Sequence, residues 1–83
     1  MNEKQAKAIT KKLKNKYRNS KKNGLEILSS FSDVELTAYI AVATLSYGRS
    51  WKDSIENAEI HLENKEKAIK LFGTSSSDLL GAY

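Results

Sequence analysis

The sequence predicts an all-α protein: a single small bundle of three main helices, over about residues 4–22, 33–47 and 51–72, with short helical turns at 25–30 and 78–83. Three observations predict it. Apolar residues recur at spacings of three and four, and no run alternates long enough to form a strand. Proline is absent, and Gly24, Gly48 and Gly73 each follow a helical pattern, where a left-handed residue commonly ends a helix. The third is the stretch Asp33 to Tyr47 (DVELTAYIAVATLSY), which is apolar nearly all the way round.

That stretch sets the architecture. Leu36, Tyr39, Ile40, Ala43 and Tyr47 form one face of a helix; Val34, Ala38, Ala41 and Leu45 form the other. A helix with two apolar faces is buried, so it must be central and covered from both sides.

Length and composition bound the rest. A chain of 83 residues has room for one domain and one modest core. There is no cysteine and a single histidine, which leaves neither a disulfide nor a Cys/His zinc site to staple it. No apolar run approaches the roughly 18 residues of a spanning helix, and the N-terminal lysines precede no apolar h-region. The expectation is a cytoplasmic protein. The net charge of +4 conceals an asymmetry: residues 1–24 hold nine cations against Glu3, while residues 25–83 hold five cations against nine acids. A basic N-terminal helix or arm thus precedes a mildly acidic helical body.

In helix one, Ala6, Ile9, Leu13 and Tyr17 make a thin apolar stripe. Lys4, Lys7, Lys11, Lys14 and Arg18 make a continuous basic one, which Lys12 and Lys16 widen. The segment Leu25 to Leu28 then supplies a helical turn. Phe31-Ser32-Asp33-Val34-Glu35-Leu36 is a specific start signal for the central helix. Ser32 and Glu35 stand in capping-box positions, with Phe31 and Leu36 at the two ends of a hydrophobic staple. The last long helix opens at Ser50, with Asp53 in the box position. It places Trp51, Ile55, Ala58, Leu62, Ile69 and Phe72 on one side, with Glu56, Glu59 and Glu63 opposite. It runs either straight through or as two pieces bent near Asn64. Thr74 to Asp78 reads as a cap-rich loop before the final turn.

No catalytic or metal motif is present. His61 stands alone at the edge of a packing stripe, and the acids on the last helix have the spacing of a solvated face. Ser75 to Ser77 reads as capping, so no enzyme, cofactor or small-molecule substrate is predicted. A helix-turn-helix over residues 33–64 is disfavoured, because its reading helix would turn Glu56, Glu59 and Glu63 toward phosphates. A membrane partner is also disfavoured, since Ile9, Leu13 and Tyr17 offer too little apolar area.

Two functional readings remain. The first is a small non-catalytic regulatory or inhibitor-type protein that binds a larger protein, or itself, through Tyr39, Tyr47, Arg49 and Trp51. It rests on the aromatic enrichment of binding hot spots and on the thin cover that helix one offers the central helix. Leu79, Leu80 and Tyr83 read either as a lid on the core or as a docking motif. The second is sequence-nonspecific nucleic-acid binding by Lys4, Lys7, Lys11, Lys14, Arg18, Lys21 and Lys22. Such a stripe can follow a phosphate backbone, and the dominance of lysine over arginine argues against base reading.

Overall fold

Ser32 fixes the start of the central helix by the reciprocal bonds its sequence predicts. Its hydroxyl accepts the Glu35 N–H at 3.2 Å, and the Glu35 carboxylate accepts the Ser32 N–H at 2.8 Å. The computed structural model describes residues 1–74. These form five helices: α1 (Glu3–Tyr17), α2 (Gly24–Ser29), α3 (Asp33–Leu45), α4 (Trp51–Leu62) and α5 (Lys65–Thr74). No strand occurs among the described residues. The predicted last turn over 78–83 lies outside them.

The central helix is α3. It buries Leu36, Ala38, Tyr39, Ile40, Ala41, Ala43 and Thr44, positions drawn from both of its apolar faces. The two covers are α1 and α4, which pack mainly on α3 rather than on each other, while α2 packs on α5. Each fully buried leucine or isoleucine contributes about 1.5–3 kcal/mol. Leu28, Leu36 and Ile40, all at 0% exposure, therefore form the centre of a single core. Phe31 joins three elements there. Its ring lies 5.9 Å from that of Tyr17 in α1 and 5.8 Å from that of Tyr39 in α3. On the α4 side, buried Thr44 donates its hydroxyl to the Ile40 carbonyl and accepts from the Asn57 amide at 3.0 Å. Ser54 is also fully buried on α4, and its hydroxyl has no hydrogen-bond partner among the described residues. Small side chains such as Ser54 and Ala58 let α4 approach its neighbour closely.

Several boundaries differ from the sequence expectation, each for a local reason. Helix one ends at Tyr17, not at residue 22. Beyond it the Ser20 hydroxyl takes the Lys22 N–H, and the Asn23 side chain caps α2 by accepting the Glu26 N–H at 2.9 Å. Short polar side chains that bind nearby backbone compete with a helix. Gly24 is consequently the first residue of α2 and not the end of α1. The central helix ends at Leu45, where the Tyr47 and Gly48 N–H groups bond three residues back to Thr44 and Leu45. Gly48 alone takes the expected left-handed conformation, at φ 86°. Of the two forms expected for the span 51–72, the structure takes the divided one, two helices broken at residues 63–64. Asn64 caps the second by accepting the Lys67 N–H at 3.3 Å.

Gly73 lies inside α5 and serves close packing instead of termination. A Cβ there would stand 2.8 Å from the Leu25 Cδ2 and 3.1 Å from its Cα. Gly73→Ala should therefore push α5 off α2 and cost about 1–3 kcal/mol, read as a lower midpoint in urea unfolding. Ser32→Ala removes one half of the capping box. It should cost about 1 kcal/mol and lower the Tm by roughly 4–8 °C, measured by far-UV circular dichroism.

Candidate functional site

The two long surfaces of α1 are chemically distinct. Its buried edge consists of Ala6, Thr10 and Leu13, with the Thr10 hydroxyl donating to the Ala6 carbonyl at 2.8 Å. Lys4, Lys7, Lys11 and Arg18 lie exposed and Lys14 half-buried, so the predicted basic stripe exists up to the end of the helix. Lys7 is paired with Glu3 at 2.9 Å. Lys21 and Lys22 are exposed in the link to α2, and they leave the stripe because α1 stops before them. Lys12 and Lys16 do not widen it as expected. They stand on the opposite flank of α1, and the Lys16 ammonium lies over the Tyr17 ring, 5.4 Å from its centroid.

That second flank borders a trough between α1 and the first turn of α3. One part, about 540 Å³, is lined by Met1, Gln5, Ala8, Ile9 and Val34. It continues into a hollow of about 260 Å³ lined by Ile9, Lys12, Leu13, Lys16, Val34 and Glu35. Its origin lies in the thin stripe of α1. Ile9 was expected to be a core anchor, but it is only half-buried, and the small Ala8 beside it cannot reach across Val34. Val34 is left 58% exposed. The floor is thus aliphatic and one rim carries two ammonium groups. The Glu35 carboxylate, the one acid along it, is engaged by the Ser32 N–H.

The predicted aromatic surface separates into three environments. Tyr39 is 1% exposed and meets the Phe31 ring edge-on, so it is a core residue and cannot touch a partner. Tyr47 falls beyond the end of α3. Instead of continuing the face of Leu36 and Ile40, it turns outward and is 84% exposed. Arg49 is exposed in the same turn, and Trp51 is half-buried against the core, closing one end of it. The turn therefore brings Tyr47 and Arg49 together near the edge of Trp51, without Tyr39.

The remaining candidates have structural roles. His61 is half-buried, edge-on to Phe72 with ring centroids 5.0 Å apart. Glu56, Glu59 and Glu63 are exposed around Ile60 on α4. Lys65 reaches back to Asp33 at 2.8 Å, tying α5 to the start of α3. Ser75, Ser76 and Ser77, with Leu79, Leu80 and Tyr83, lie outside the described residues. Among the described residues no group of three His, Cys, Asp or Glu could hold a metal, and no helix is long and apolar enough to cross a membrane. The trough itself was not read from the sequence. Its signal was Val34, on an apolar face that the thin stripe of helix one covers incompletely.

The division of the tyrosines is directly measurable. Tyr39→Ala should destabilise the fold by about 3–5 kcal/mol, the range for truncating a buried aromatic. Tyr47→Ala should stay within about 0.5 kcal/mol of the parent, as a surface change does. Parallel urea titrations of the two variants read both.

No protein-family model matches the sequence, and no curated protein and no solved structure matches the chain.

Proposed function

We propose that the protein is a small non-catalytic regulator or inhibitor-type protein that binds a larger protein partner, and that the α1–α3 trough is its binding surface. The observation that carries this reading is Val34. A β-branched side chain 58% exposed, at the floor of a concave aliphatic surface, is the kind of feature that partner helices fill. The rim defines the partner's chemistry: Lys12 and Lys16 favour an amphipathic helix whose apolar ridge is flanked by carboxylates. The exposed turn at Tyr47 and Arg49 supports the same function less well, because a protruding side chain offers no pocket.

A second reading keeps a specific observation in its favour. Lys4, Lys11 and Arg18 lie exposed along one side of α1, with Lys7 paired to Glu3 among them, while Glu56, Glu59 and Glu63 lie on α4 and its C-cap, away from it. A polyanion could follow that side without meeting the acidic helix, with affinity falling steeply as salt displaces the released counterions.

One experiment separates the two. Backbone amide shifts are followed by NMR while the protein is titrated with a synthetic helical peptide bearing a leucine ridge flanked by glutamates, and separately with a mixed-sequence DNA duplex. The expected result is peptide-induced shifts centred on Ala8, Ile9, Lys12 and Val34, weakened at least tenfold in affinity by Val34→Asp. Shifts centred on Tyr47 and Trp51 would overturn the trough as the binding surface. Duplex-induced shifts along Lys4, Lys7 and Lys11, with no response to the peptide, would replace the first reading by the second.

A further inference from the structure

The same molecule carries, on α4, a surface with the chemistry that its trough accepts. Ile60 is 64% exposed, the most exposed large aliphatic side chain among the described residues. Along one side of it on the helix surface run Glu56, Glu63 and, further round, Glu59, all exposed. Residues four apart on a helix lie about 6 Å apart along its axis. Glu59 and Glu63 therefore have the same separation as Lys12 and Lys16 on the trough rim. Two helices laid side by side can set both carboxylates against both ammonium groups while Ile60 meets Ile9 and Val34.

We propose that the trough of one copy receives the Ile60 ridge of α4 from a second copy, so that self-association occupies the site and competes with the partner. This rests on the assignment of the trough as the binding surface. The contact joins two different patches, which makes it heterologous. Each bound pair leaves one trough and one Ile60 ridge free, so the assembly grows by addition and does not stop at a symmetric dimer. A single small contact gives weak affinity, and its exposed charge pairs lose strength as salt rises.

The two-patch geometry has a test that a symmetric interface would fail. Val34→Asp destroys the trough floor and leaves the α4 ridge intact; Ile60→Lys does the reverse. Both positions are exposed, and each new charge suits the dipole at its own helix end, an acid in the first turn of α3 and a cation in the last turn of α4. Far-UV circular dichroism confirms that both variants fold. Sedimentation velocity is run over a hundredfold range of concentration at low salt. The parent should show a sedimentation coefficient that rises with concentration, while each variant alone stays monomeric. The equimolar mixture should form a 1:1 dimer and no larger species. A parent that stays monomeric, a variant that associates like the parent, or a mixture that stays monomeric while the parent associates would each overturn the proposal. Titrating Ile60→Lys with the acidic peptide keeps the two readings apart. Peptide binding at Ala8 and Val34 without self-association would leave the trough standing and remove only the second copy from it.

Discussion

Everything in this fold turns on the junction at Phe31 and Ser32. Directly after the C-cap of α2 at Ser30, the chain inserts a ring between Tyr17 and Tyr39 and starts α3 through a complete capping box. The cap fixes where the first turn of α3 begins, and the ring fixes how α1 and α3 meet. A helix with two apolar faces has no preferred side of its own. Its rotation must be set by something at its end, and here that is Phe31. The position of Val34, three residues further on, follows from the same constraint, so the trough is a by-product of how α3 is seated.

The charge asymmetry of the sequence becomes spatial because α1 and α4 both pack on α3 and not chiefly on each other. The lysines of α1 and the glutamates of α4 remain on separate surfaces, and between the two elements lies a helix whose only charges, Asp33 and Glu35, sit in its first turn. An ion pair such as Lys65–Asp33 is largely exposed and contributes little to stability. The charges matter chiefly for what approaches each side, through steering and selection.

The architecture was legible in the sequence where several local signals agreed. At residues 31–36 the cap, the staple and the apolar pattern pointed to one boundary, and the structure places it there. The burial of α3 on both faces was legible for the same reason. Glycine was the less readable residue. Gly24, Gly48 and Gly73 follow similar patterns, yet one begins a helix, one takes positive φ and one admits the backbone of Leu25. The outcome depends on what packs against each glycine, which no local window contains. Tyr39 and Tyr47 were grouped by periodicity, which holds only while the helix continues, and α3 stops between them. Of the candidate surfaces, the basic stripe was legible as a spacing. The trough was not, because it is made by two helices and by what one of them lacks.

The pairing of α2 with α5 joins an early segment of the chain to a late one, and Leu25 meets Gly73 across it. During synthesis the N-terminal half emerges with α3 covered by α1 alone, its other apolar face still waiting for α4. The core closes only once α5 can pack on α2, so folding joins distant segments of the chain and does not accumulate turn by turn. Until α4 emerges the nascent chain presents one apolar face of α3 to its surroundings, and holdase chaperones bind such segments. The time from α3 to α5, more than any step within a helix, sets how long the unfinished molecule is exposed to aggregation.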